Sequence, residues 1–253
     1  MHRPGRFLVV LLVGWFGWII FIDQTATDLQ LGKDFFHSKD LSKGQAISCA
    51  SCHRADFALG SNLPLDGHIH GTTNRNTPPL FNLSSKPHFF WDGGIRSLNQ
   101  VHLAPLLTEM DFLESPYFQE HKDPYILEKV TRALSRYLLS LEVKANHSPF
   151  GSNSQGKRLF IDKCIQCHTP PTMTNYGLYK KDIPSSDSGH FRISGRPEDL
   201  GKMVVPSLLE IEKTAPYFHN GYTYSLEEAI GLCSSDSLNK EQIHALSLFL
   251  QEL

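Results

Sequence analysis

Hydrophobic and polar positions along the chain sort into a few helical stretches separated by irregular segments. The longest apolar run, FLVVLLVGWFGWIIFI, fills residues 7–22 behind the basic flank MHRPGR. As a helix it would cover about 24 Å at roughly 1.5 Å per residue, somewhat short for a bilayer core. An export signal or an uncleaved anchor fits, and DQTATD after the run lacks an A-x-A cleavage site, which favours the anchor. Helical spacing returns in GKDFF (Gly32 to Phe36) and GKRLF (Gly156 to Phe160), each a short lead-in to a cysteine pair. ALSRYLLSL (Ala133 to Leu141) and ALSLFLQEL (Ala245 to Leu253) close the two halves with apolar residues at helical spacing. The halves therefore share one plan of helix, cysteine pair, loop region and closing helix. They join through ANHSPFGSNSQ, residues 145–155, rich in turn-forming residues. No sustained alternation predicts strands, so the pattern predicts a mostly α protein.

Composition narrows the picture. A chain of 253 residues, 40% hydrophobic and 20% charged, can bury a real core and has the length of one large or two small domains. The formal net charge of −2 gives no electrostatic reason to expect nucleic acid as a partner. Thirteen histidines beside five cysteines raise the case for metal or haem ligation. Four of those cysteines form two C-x-x-C-H arrays, Cys49, Cys52, His53 and Cys164, Cys167, His168. Paired cysteines could be disulfide partners, redox dithiols or zinc ligands. The histidine directly after each pair points instead to haem attachment, with two thioethers to the haem vinyl groups and the imidazole as proximal iron ligand.

Six motifs occur in a fixed order over residues 30–253: GKDFF, ISCASCH, RNTPPLFN, FFWDG, KCIQCH and VPSLLEIEKTAPYFHNG. Through them the chain resembles the bacterial dihaem cytochrome c peroxidase family, which includes the MauG-type enzymes that oxidise a partner protein. The resemblance implies two tandem cytochrome c-like haem domains, mostly α. Residues 1–28 would be a signal peptide or membrane anchor, 29–147 the peroxidatic domain and 148–253 the electron-transfer domain. It further implies two covalently bound haem c groups, hydrogen peroxide as substrate, and either a small periplasmic electron donor (cytochrome c or cupredoxin) or a protein substrate. The expected location is the periplasm, with the N-terminal segment as an inner-membrane tether, and a homodimer is the expected assembly.

Residue by residue, the resemblance makes His53 the proximal ligand of the first haem and His68 in DGHIHG its removable sixth ligand, with His70 as the competing neighbour. Glu109 in TEMDF matches a carboxylate that shuttles a proton during peroxide cleavage, and Trp91 in FFWDG matches a tryptophan that relays electrons between the haems. Asn76, with the carbonyls of Thr214 and Pro216, matches a calcium site between the domains. His168 would hold the second haem from below. The upper ligand is usually a methionine fourteen residues after the histidine of PYFH, and that count lands on Cys233. Met173 and Met203 lie elsewhere in the motif order. A thiolate there would lower the haem potential relative to a thioether. A buried free cysteine or an intermolecular disulfide are the other readings of Cys233. Departures from the family are Leu209 and Glu210, where arginine and asparagine are usual, and Val101, where glutamine is common. Three functions follow: a peroxidase fed by an external carrier, a MauG-like enzyme oxidising a protein or small organic molecule, and a dihaem electron carrier without turnover.

Overall fold

A computed structural model of the chain describes residues 6–10, 19–143, 154–234 and 238–253. Most of the linker expected at residues 145–155, and with it the expected boundary at 147/148, lies outside the described residues. The described secondary structure is rich in helix, with three two-stranded antiparallel sheets as its only strand pairings.

The apolar N-terminal run departs from its expected form. β1 (Arg6–Val10) pairs antiparallel with β2 (Ile19–Asp23), Arg6 opposite Asp23 and Val10 opposite Ile19. The valine, isoleucine and phenylalanine content that reads as a membrane helix also suits extended backbone. No helix among the described residues is long and apolar enough to cross a membrane.

Beyond this hairpin the repeated plan is visible. In the first half, α1 (Gln24–His37) packs across α6 (Ile126–Leu139). In the second half, α7 (Gln155–Lys163) packs across α10 (Lys240–Leu250) in the same way. The crossing points explain the repeated glycines. A Cβ on Gly32 would collide with the Ala133 carbonyl, and one on Gly156 with the Ala245 carbonyl. Each glycine thus lets two helix backbones touch. The phenylalanine that ends each segment is buried beside the crossing: Phe36 is 1% exposed and Phe160 is fully buried. α6 buries Ile126, Val130, Ala133, Leu134 and Leu138, the one-sided spacing of a helix lying on a core. α10 starts at a capping box in which Asn239 and Gln242 exchange side-chain to backbone hydrogen bonds.

Two hydrophobic clusters result. One gathers Phe35, Phe36, Leu106, Phe112, Val130 and Leu134, and the other Phe160, Met173, Leu209, Tyr217, Leu246 and Phe249. Phe81, from the first half of the chain, belongs to the second cluster, so residues 76–91 tie the halves together. Arg75 reinforces the seam by donating to Asp92 at 2.6 Å and, through two nitrogens, to Asp187 at 2.6 and 2.9 Å.

Candidate functional site

The two cysteine arrays fold into turns of one shape. Cys49–Cys52 forms a single helical turn, α2, opened by a capping box between Ser48 and Ser51. The His53 N–H donates to the Cys49 carbonyl at 2.9 Å, and the His168 N–H donates to the Cys164 carbonyl at the same distance. Each imidazole is then oriented alike. His53 Nδ1–H donates to the Leu59 carbonyl at 2.9 Å, and His168 Nδ1–H to the Met173 carbonyl at 3.1 Å. With the proton held on Nδ1, Nε2 keeps its lone pair, which is the tautomer a metal-ligating histidine requires. Burial lowers the pKa of both, that of His53 to about 4, so both rings are neutral near pH 7. Burial also pushes the Cys49 and Cys52 thiols up to about 12 and Cys164 to about 11. Two thiols and a neutral imidazole fit a covalently tethered haem at each turn.

Around the first turn the structure brings together the residues expected from opposite ends of a long loop. His68 ends β3 (Gly67–His68), which pairs with β4 (Gly71–Thr72). Glu109 caps α4 (Leu103–Thr108). The charge of Glu109 bears on both Cys49 and Cys52, and that of His68 bears on Glu109. Burial raises the Glu109 pKa above the usual carboxylate range, with His68 opposing the shift and Asp66 adding to it. His70 is engaged elsewhere, its Nε2–H donating to Asp111 Oδ1 at 2.9 Å. Its backbone N–H donates to His68 Nδ1 at 3.3 Å.

The hairpin carrying His68 hangs on a buried polar cluster that the sequence did not announce. Asp66, 2% exposed, accepts hydrogen bonds from Arg54 Nη2 at 2.8 Å, Ser61 Oγ at 2.9 Å and Thr77 Oγ1 at 2.6 Å. Two further polar residues near His53 also went unread. His102 is buried, with Nε2 3.1 Å from Ser135 Oγ, and desolvation drives its pKa to about 4. Lys86 is half-buried, but its ammonium end lies inside the protein, 3.5 Å from the Pro79 carbonyl, and burial lowers its pKa to about 8. Neither follows a periodicity or motif that would single it out.

The second turn opens on a cavity of about 330 Å³, lined by Cys164, Cys167 and His168. That volume lies within the ~300–1,000 Å³ typical of cofactor and ligand sites. Cys233, on α9 (Leu226–Ser234), lines the same cavity and is exposed. Met203, on β6 (Lys202–Val204), also reaches the lining, a second sulfur that chain order alone had set aside. Met173 does not: its side chain is buried in the second cluster while its carbonyl holds His168.

Trp91 stands on the wall of this cavity nearest the first half. Its Nε1–H donates to the Asn76 carbonyl at 2.8 Å, and its ring meets that of His219 edge-on at 6.4 Å. Asn76, Thr214 and Pro216 line the same cavity. The Asn76 side-chain nitrogen donates to the Leu63 carbonyl at 2.9 Å, which leaves its Oδ1 as the atom suited to a cation. Among the described residues no cluster of three or more His, Cys, Asp or Glu side chains could hold a metal ion. The departures also find places: Leu209 is buried in the second cluster, Val101 packs against the first, and Glu210 pairs with Lys213 at the surface.

The sequence model of the family described as di-haem cytochrome c peroxidase matches residues 26–159, more than half of the chain. The chain belongs to this family. Members are oxidoreductases of the peroxidase type, so the protein is an enzyme, and membership implies haem as its cofactor. The dihaem peroxidase relatives include the cytochrome c551 peroxidase of Pseudomonas aeruginosa, 25% identical over 84% of this chain and 73% of its own. The methylamine utilization protein MauG of Methylophilus methylotrophus is 26% identical over 84% and 74%. Among solved structures, a MauG-like protein associated with microbial copper homeostasis has a TM-score of 0.76 at 24% identity, covering 90% of this chain and 88% of its own. The diheme peroxidase BthA from Burkholderia thailandensis follows at 0.67 and 19% identity, covering 81% and 70%. The helix-rich architecture is thus that of a MauG-like dihaem protein.

Proposed function

We propose that the protein is a dihaem c-type peroxidase that reduces hydrogen peroxide to water at the first site with electrons passed in through the second. The observation that carries this reading is the repeated turn, in which both imidazoles give Nδ1–H to a backbone carbonyl and keep Nε2 for a metal. Cys49, Cys52 and His53 would hold one haem, and Cys164, Cys167 and His168 the other. Bound there, haem iron supplies the centre for O–O cleavage at the first site and a store for electrons at the second. The remaining chemistry belongs to the chain. Reduction of one peroxide to two waters takes two electrons and two protons. Glu109, half-desolvated and raised in pKa, takes a proton from one peroxide oxygen and returns it to the other, which leaves as water. His68, rather than the Asp111-bound His70, would be the removable ligand of the first haem, its ring giving up the contact in which Nδ1 accepts from the His70 N–H. Trp91, at the seam, relays electrons while Asn76 fixes its indole.

Cys233 would be a second ligand of the haem held by His168, a reading supported by its place in the same cavity. Asn76, Thr214 and Pro216 would hold a calcium ion through their oxygens. The domains are 29–147 and 148–253, after a signal or anchor segment, in a periplasmic protein that works as a homodimer. The electron donor is a small periplasmic cytochrome c or cupredoxin. Cys233 also favours a second reading: an anionic ligand lowers the haem potential and makes it a poor acceptor from ordinary carriers, so the oxidised substrate would be a protein or small organic molecule, as in MauG-type enzymes. The test is peroxide consumption by the half-reduced holoprotein with reduced cytochrome c present. Rapid cytochrome oxidation is expected for the carrier-fed peroxidase. Peroxide loss without cytochrome oxidation selects the MauG-type reading, and no peroxide loss overturns both.

A further inference from the structure

Lys181 is a cation that the reaction as derived does not use. It follows β5 (Leu178–Lys180), which pairs antiparallel with β6, and it stands on the lining of the second cavity beside Cys164, Cys167, His168 and Cys233. Its Nζ donates to the backbone carbonyl of Cys233 at 2.7 Å. That carbonyl belongs to the last turn of α9, where helix carbonyls lack partners within the helix and a lysine is the natural cap. Lys181 therefore ties the helix end that carries Cys233 to the strand edge across the cavity mouth.

The electrostatic setting is one-sided. Among the described residues no aspartate or glutamate lines the cavity, and of its lysines Lys163 is already paired with Asp162 at 3.0 Å. The charge of Lys181 is felt by Cys164, His168 and Cys233 alike, so the ammonium sits amid the groups that face the cofactor.

We propose that Lys181 is the positioning residue of the second haem site, holding the last turn of α9 so that Cys233 is presented to the cavity that would hold the haem. This rests on the reading of Cys233 as the upper ligand. The test is electron paramagnetic resonance of the as-isolated ferric holoprotein together with a potentiometric titration of the second haem. It compares the wild type with Cys233→Ser, Lys181→Met, Lys181→Gln and Lys181→Arg. Lys181 is itself exposed, so these changes leave the core untouched.

Low-spin His/thiolate features are expected in the wild type and absent from Cys233→Ser. Lys181→Met should lose most of that signal, by several-fold, with haem content unchanged and a shifted second-haem potential. Lys181→Gln, which keeps a donor but no charge, should fall between, and Lys181→Arg should restore the signal. A Lys181→Met protein with wild-type signal and potential, while Cys233→Ser loses the signal, overturns the role of Lys181 alone. A Cys233→Ser spectrum identical to wild type overturns the ligand reading beneath it and points to Met203, which Met203→Leu would then expose.

Discussion

At Glu109, burial raises a carboxylate that shares its surroundings with His68 and two cysteines, and this gives the first site a group able to act as base and then as acid. Glu109→Gln is expected to lower peroxide turnover by about 10²–10⁴-fold with haem content unchanged. The sign of the pH dependence follows from the raised pKa. Below it the side chain is already protonated and cannot take the peroxide proton, so the wild-type rate falls as pH drops through that value, whereas the glutamine variant shows no such limb. A pH profile of peroxide turnover checks both. The chemistry-bearing residues were legible because covalent haem attachment requires a fixed local spacing, written directly in Cys49, Cys52, His53 and in Cys164, Cys167, His168. Residues whose role depends on who faces them across the fold were not. Asp66 hides among loop residues until Arg54, Ser61 and Thr77 converge on it, and Met203 enters the second cavity only because β6 pairs beside β5.

The element that repeats is the crossing of a lead-in helix over a closing helix, and its contact point is glycine on carbonyl in both halves. Gly32→Ala and Gly156→Ala should each destabilise the protein by about 1–3 kcal/mol, since the added methyl must push two packed backbones apart. Thermal unfolding of the two variants should show the loss, and alanine at the exposed Gly44, whose Cβ would meet nothing within 4 Å, serves as a control for backbone strain without a clash. The helices themselves were readable from GKDFF, ALSRYLLSL, GKRLF and ALSLFLQEL because helix periodicity survives in amphipathic elements, whereas their crossing was not. The N-terminal run was misread as helix over its described parts because an unbroken apolar stretch has no periodicity to separate helix from strand.

Across the whole molecule the two halves are locked by Arg75 between Asp92 and Asp187, with side chains only 15%, 11% and 14% exposed. Hydrogen bonds from Arg75 hold Asp187 down to about 2, below the ordinary 3.8. A carboxylate so depressed contributes stability that is present above about pH 4 and lost as pH falls towards 2. Asp187→Asn should cost about 2 kcal/mol at neutral pH, and the gap to wild type should close on acidification, as read by unfolding at a series of pH values. Arg75→Met should cost more, because it strands two buried carboxylates. None of this seam was visible in the chain, where Arg75 and Asp187 are 112 residues apart. All of it serves one premise, that each half carries its own tethered iron porphyrin. Intact mass of protein matured in a haem-attaching host tests that most directly. Two haem additions per chain are expected, one lost in Cys49→Ala/Cys52→Ala and the other in Cys164→Ala/Cys167→Ala; a wild-type chain carrying one addition or none would contradict a haem in each half.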